Sequence, residues 1–476
     1  MVRRAPTWTD DDRARPKCAP GQTARGGAAI QLTRLRSVEE EGRQDMASKN
    51  HNSIGVIGMD EFNSRYLLKD LRDTDDIEFH TLLDREEISI VDSGFPFEER
   101  LNTALKRARD VDGGIDGVVT HWDFPSTMIT PLLADELGTP YATPEAVMKC
   151  EHKLWSRQEE KKVTKTPGFC GFHPFSDDPL AEIDLDYPFW VKPVVGHSSM
   201  LGFEIRSGED FDAALAEIRE HIRELTRPFR YALEHIPLPE KLAEQGATLC
   251  IAEEIISRED QFTLEGYAHD GQVEIYGVID SIREPNGHTF SHYQYPTQAD
   301  QAVVARMEDI TRKVITQFGY TDSPFNIEFF YNPETDHLHL LEINSRVSQS
   351  HSDLFLKVDG QPNQQIAVDL ALGRTPRWRR GAGAFDMAAK FFLRCHEDAR
   401  VEAVPTEAML QRLEQEMPDV RVDIGVEPGQ RLSELHEQES YSYEIADLFI
   451  GGRDAKELEE KYEACNRILQ FEFSPA

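Results

Sequence analysis

Two runs in the second half of the chain alternate apolar and polar positions most regularly. They are Phe325-Asn326-Ile327-Glu328-Phe329-Phe330 and His339-Leu340-Leu341-Glu342-Ile343-Asn344-Ser345-Arg346. Period-two alternation predicts strands with one buried and one polar face. Asn332-Pro333-Glu334-Thr335-Asp336 between them reads as a hairpin loop. Upstream, strands at 53–58, 78–83 and 117–120 alternate with helical periods at 63–70 and 97–111, which predicts an open parallel sheet with helices on both faces. Thr143-Pro144 opens a helix that is expected to run past Lys153.

Further on, the pattern predicts a strand at 187–193, a helix at 207–226 and an irregular, proline-marked stretch at 227–247. A strand at 249–256 follows, then a hairpin pairing 262–267 with 273–280 across Asp270-Gly271. Helices are expected at 299–318 and at 363–372, the second closed by Gly373. Strands at 387–393, 420–424 and 442–449, with helices at 406–416 and 454–469, read as a small α+β lobe closing on the main body. Residues 1–45 lack apolar periodicity and read as disordered, or as an over-extended gene start with Met46 the natural first residue.

The polar face of the hairpin is where chemistry concentrates. Residues i and i+2 of a strand project to one side, so Glu342 and Asn344 share a face and Glu328 joins them from the neighbouring strand. Carboxylates packed that closely repel, and a hard divalent cation relieves the repulsion; an all-oxygen set suits Mg²⁺. Arg346 continues the face with a planar cation for a phosphate or carboxylate. Lys192 closes the strand at 187–193 beside a loop of small residues, 194–203, a combination that can hold phosphates. Neither GxxxxGK[ST] nor GxGxxG is satisfied, so a P-loop is excluded and a dinucleotide fingerprint is not read. His292, His351 and His197 could line the substrate side, but each is read first as structural.

Composition narrows the partners. Against 52 Lys and Arg stand 86 Asp and Glu, a net charge of −34 that disfavours nucleic acid and anionic membranes. No apolar stretch approaches the length of a membrane span. The six scattered cysteines, without CxxC or zinc spacing, read as reduced thiols of a cytoplasmic protein.

Taken in chain order, these motifs resemble the ATP-grasp superfamily, in its carboxylate–amine ligase and biotin-carboxylase-like branch, over about residues 53–475. Lys153 in Glu151-His152-Lys153-Leu154 matches the family's first ATP lysine, and Lys192 the second. His197, Ser198 and Ser199 fall in its phosphate lid. Glu253, Glu254 and Ile256 match the hinge that reads adenine, with Glu253 near the exocyclic amine, and Asp260 (or Glu259) the ribose acid. Glu328, Glu342 and Asn344 match the metal constellation and Arg346 the catalytic arginine.

The resemblance implies an ATP-grasp fold, α/β and α+β, with a pre-ATP-grasp α/β domain over 53–145, the ATP-grasp domain over 146–376 and an α+β lobe over 384–476, after an N-terminal extension of residues 1–52. It implies ATP with two Mg²⁺ (or Mn²⁺), a small-molecule carboxylate activated as an acyl phosphate and joined to an amine, and a homodimer, since family members are often dimers. The chain departs from the family in lacking the lid's glycine run and the hinge-turn glycine. It carries Ser350-His351 where biotin carboxylases place a glutamate before histidine. A bicarbonate-using or carbamoylating enzyme and a catalytically silent nucleotide-binding protein stand as the alternatives.

Overall fold

The computed structural model describes residues 51–90, 95–196, 200–256, 260–285, 287, 289–435 and 442–475. The expected disordered extension lies outside the described residues. In chain order come β1 (Asn52–Met59), α1 (Glu61–Arg65), β2 (Ile77–Asp84), α2 (Phe97–Asp110), β3 (Gly117–Thr120) and α3 (Ser126–Leu137). The three strands form a parallel sheet in the order β2-β1-β3. Ile54 and Val56 of β1 pack on one face and Ile57 on the other, as alternation requires of a sheet covered on both sides.

Next are α4 (Pro144–Glu151), α5 (Lys153–Glu160), β4 (Phe169–Phe172), β5 (Phe189–Pro193), β6 (Phe203–Ile205), α6 (Gly208–Leu225), α7 (Arg230–His235), α8 (Glu240–Gln245) and β7 (Cys250–Glu254). Strands β4-β7-β5-β6 make a small antiparallel sheet whose apolar face (Phe172, Phe189, Val191) packs on Phe211, Leu215 and Ile218 of α6. The large sheet begins with β8 (Asp260–His269), β9 (Gln272–Arg283) and β10 (Phe290–Tyr295). After α9 (Gln301–Phe318) it continues with β11 (Ser323–Asn332) and β12 (His337–Asn344). Then follow α10 (Ser352–Asp359), α11 (Gln364–Ala371), β13 (Met387–Cys395), β14 (Ala399–Ala403), α12 (Glu407–Glu416), β15 (Arg421–Ile424), β16 (Tyr443–Gly452), α13 (Ala455–Ile468) and β17 (Glu472–Pro475).

Several elements differ from the pattern-based expectation, each for a physical reason. The helix begun at Pro144 stops at Glu151, because His152 is extended (φ −89°, ψ 95°) and its ring caps the Trp155 amide at 3.2 Å. Lys153 is therefore the first residue of a second helix rather than two to three turns into the first. The stretch 227–247 is mostly short helices, since Pro228 and Pro239 sit at helix starts, where proline is tolerated. Helix α10 was not expected: it is buried on nearly every side, so no single apolar stripe marks it. The segment expected as a lobe closing on the main body joins it through the sheet: β13, β16 and β15 extend the edge of β10, giving one eight-stranded sheet ordered β12-β11-β8-β9-β10-β13-β16-β15.

The β8–β9 turn holds Asp270 and Gly271 at φ 49° and 72°, as a two-residue hairpin of this kind needs. Gly117 opens β3 where it meets α11, and a Cβ there would lie 2.3 Å from the Ala371 carbonyl oxygen. Gly117→Ala is expected to cost about 1–3 kcal/mol through this backbone clash, read as a lower urea midpoint at unchanged slope.

Candidate active site

Antiparallel register sets the centre of the site. Across β11 and β12, Glu328 lies opposite Glu342 and Asn326 opposite Asn344. On the other flank of β11, β8 places Thr263 opposite Glu328 and Glu265 opposite Asn326. Residues directly opposite one another share a face. Two polar rows therefore run across three strands, Glu342–Glu328–Thr263 and Asn344–Asn326–Glu265, about 7 Å apart.

Glu328 is half-buried, and its Oε2 accepts a hydrogen bond from Gln261 Nε2 at 2.8 Å. Burial and the Glu342 charge raise its pKa to about 8, against the opposing pull of Arg346 and Gln261. Asn344 Nδ2 donates to Asn326 Oδ1 (2.9 Å), and Asn326 Nδ2 donates to the Arg346 carbonyl (3.0 Å). This orientation leaves Asn344 Oδ1 as the end available to a cation. A carboxyl group held against its neighbour's charge, a second carboxylate and an amide oxygen fit a hard divalent ion that keeps positions for water and phosphate. Among the described residues no cluster of three or more His, Cys, Asp or Glu has metal-holding geometry, consistent with a donor set of only two carboxylates.

The lysines approach from the small sheet and from α5. Lys192 Nζ pairs with Glu253 Oε2 at 2.7 Å. Arg157 Nε donates to Glu253 Oε1 (2.6 Å), its Nη1 to Glu160 Oε2 (2.6 Å) and its Nη2 to the Leu341 carbonyl in β12 (2.8 Å). Burial opposes ionisation of Glu253, but Arg157 and Lys192 outweigh it and hold the carboxyl down at about 2. Lys153 Nζ donates to the Gly196 carbonyl at 3.1 Å. Burial and the neighbouring Lys192 charge lower its pKa, while Glu342, Glu151 and Glu253 oppose the shift. Lys153 is thus in electrostatic reach of both Lys192 and Glu342, which sets the lysines beside the paired carboxylates.

The remaining expected residues are placed as follows. The Glu253 side chain is committed to the ion-pair network, so only its backbone is available to a base. Glu254 Oε2 accepts the Gly168 amide at 2.6 Å, closing the junction of β4 and β7. Ile256 is half-buried just past β7, and Asp260 is an exposed residue opening β8 whose pKa partial burial raises. Arg346 forms a two-pronged pair with Asp123 from the β3–α3 loop, Nε to Oδ1 at 3.1 Å and Nη2 to Oδ2. The expected lid residues His197, Ser198 and Ser199, and the alternative ribose acid Glu259, lie outside the described residues. Sequence reasoning missed Arg157, Gln261, Asn326 and the Asp123 partner. Asn326 alone had a visible signal, two residues before Glu328 on the same alternating strand.

A cleft walled by a small four-stranded sheet and a large antiparallel sheet, lysines on one side and paired carboxylates on the other, is the architecture of the ATP-grasp fold. Residues 185–352 match the ATP-grasp domain family. Among solved structures it resembles an L-amino acid ligase from Bacillus licheniformis, with TM-score 0.63 and 17% identity over 90% of this chain and 100% of that one. It also resembles the biotin carboxylase domain dimer of Hydrogenobacter thermophilus 2-oxoglutarate carboxylase, solved with MgADP, ADP and bicarbonate, with TM-score 0.57 and 14% identity over 89% and 85% of the two chains. A curated relative is the carbamoyl phosphate synthase large chain of Kineococcus radiotolerans, 31% identical over 194 residues, 40% of this chain and 16% of that one. The chain thus matches only a small part of that relative's length.

Arg157→Met would leave Glu253 and Glu160 buried with one cation fewer, at an expected cost of about 3–5 kcal/mol at pH 7. The Glu253 carboxyl is lowered from 4.5 to about 2. Its stabilising contribution is therefore present above its unfolded pKa and lost as pH falls through the folded value. The gap between wild-type and variant urea midpoints is expected to narrow between pH 5 and pH 2.

Proposed function

We propose that this protein is an ATP- and Mg²⁺-dependent ligase that activates a small-molecule carboxylate as an acyl phosphate and joins it to an amine. The observation that carries the reading is the convergence of Lys153 and Lys192 with Glu328, Glu342 and Asn344 on one cleft. A carboxylate oxygen attacks the γ-phosphorus, ADP leaves, the amine then attacks the acyl carbon, and inorganic phosphate departs. Lys153 and Lys192 hold the phosphates; Lys192 already has a carboxylate partner in Glu253, which positions its charge. Glu328, Glu342 and Asn344 hold Mg²⁺, two ions in all, with Mn²⁺ as a substitute. The ion supplies charge neutralisation to the transferring phosphoryl group.

Glu254, Ile256 and the Glu253 backbone lie where adenine is read, Asp260 serves the ribose, and His197, Ser198 and Ser199 the lid. Arg346 holds the substrate carboxylate or acyl phosphate, exchanging its Asp123 partner for it. We assign the pre-ATP-grasp domain to residues 53–145, the ATP-grasp domain to 146–376 and the C-terminal lobe to 384–476, in a cytoplasmic homodimer. Among the described residues no helix is long and apolar enough to cross a membrane.

A second reading takes bicarbonate as the carboxylate, favoured by the likeness to carbamoyl phosphate synthase. The two are separated by supplying ¹⁸O-labelled amino acids or ¹⁸O-labelled bicarbonate and asking which label appears in phosphate. Glu342→Gln is expected to lower Mg²⁺-dependent ADP formation on the order of 100-fold or more without unfolding the protein. Lys192→Ala should weaken nucleotide binding about tenfold or more. Near-normal turnover in the first variant, or an unchanged ATP titration in the second, would refute these assignments.

A further inference from the structure

Beside the cation row lies a second buried device that the ligase chemistry above leaves unused. Glu265 of β8 is fully buried, yet all four of its contacts are with donors. Its Oε1 accepts the Ser348 amide (3.2 Å) and His351 Nδ1 (2.8 Å). Its Oε2 accepts the Tyr276 hydroxyl (2.6 Å) and Asn363 Nδ2 (3.3 Å). A carboxylate so surrounded acts only as an acceptor, which fixes the imidazole proton on Nδ1 and turns the lone pair outward at Nε2. That Nε2 makes no hydrogen bond among the described residues, although His351 is only 2% exposed. Its lone pair is therefore free to accept a proton.

Register says where it stands. Glu265 is opposite Asn326, two residues along β11 from Glu328, so the dyad adjoins the cation row on the same face. Arg346 is influenced by both Glu265 and Glu328, which ties the two rows to one space. The other groups around the imidazole are the Tyr293 ring from β10, 5.3 Å away edge-on, and Lys390 from β13, whose Nζ donates to Ser350 Oγ at 3.3 Å and pairs with Asp447 at 2.7 Å.

We propose that His351 is the general base of the second half-reaction, with Glu265 as its positioning residue. This inference rests on the ligase reading. An amine arrives protonated and is not a nucleophile until it gives up a proton. His351 Nε2 takes that proton as the C–N bond forms and the bond from acyl carbon to phosphate oxygen breaks, with inorganic phosphate leaving. The imidazolium that results is stabilised by Glu265 and later returns its proton to water.

The test compares two nucleophiles on the full chain. Wild type, His351→Asn, His351→Gln and Glu265→Gln are incubated with ATP, Mg²⁺ and the standard L-amino acids, with and without hydroxylamine, and hydroxamates and condensed amides are measured by mass spectrometry. Hydroxylamine is unprotonated at neutral pH and needs no base before it attacks. The His351 variants are expected to keep hydroxamate formation within roughly threefold of wild type while losing amide formation by about 100-fold or more in kcat, the usual worth of a general base. Glu265→Gln should show the same split, smaller in size. A parallel fall of both products would mean that His351 merely holds the loop after Arg346, and unchanged amide formation would mean that it is no base; either result overturns the proposal. Wild type yielding neither product would sink the ligase reading itself, and this inference with it.

Discussion

Two carboxyl groups facing each other across a hairpin, Glu328 and Glu342, form the constraint to which the rest of the site answers. Like charges directly opposite on neighbouring strands repel, and here one of them is also half-buried. The surroundings reduce the penalty without cancelling it: Gln261 donates to Glu328, Arg346 pulls its ionisation back, and Lys153 sits within reach of Glu342. What remains is an excess of negative potential on a rigid sheet, which a small cation satisfies better than any side chain present.

The same logic applies to the positive side of the cleft. A chain with a net charge of −34 repels a polyphosphate over most of its surface. It places Lys153, Lys192, Arg157 and Arg346 together, and each has a partner that keeps it in position: a carbonyl, Glu253, Glu160 or Asp123. Burial, and then the neighbouring Lys192 charge, lower the affinity of Lys153 for its proton. An anionic substrate entering between them reverses that strain, so the cations are pre-organised for a guest that carries the missing charge.

How far this could be read beforehand depends on whether the signal was local. The hairpin of Glu328 and Glu342 was legible because strand alternation and turn chemistry are written within a few residues. Thr143 and Pro144 likewise announced a helix start. Lys153, Lys192, Glu328, Glu342 and Asn344 drew attention through the order of their motifs. The break at His152 was hidden because it depends on a side chain folding back to cap its own successor. The joining of β13 to β10 was hidden because strand partners a hundred residues apart leave no mark on either strand. Asp123 as the partner of Arg346, and Glu265 as the partner of His351, belong to the same class: contacts made by topology, with sequence separations of 223 and 86.

Arg157 is bonded at once to Glu253 of the small sheet and to the Leu341 carbonyl of the large one. A guanidinium anchored in both walls behaves as a fulcrum. Were the small sheet to tilt about that point, the far end of β5, at Pro193, would sweep the longer arc. Access for the nucleotide would then be governed by leverage, with displacement smallest beside Arg157 and largest over the phosphates.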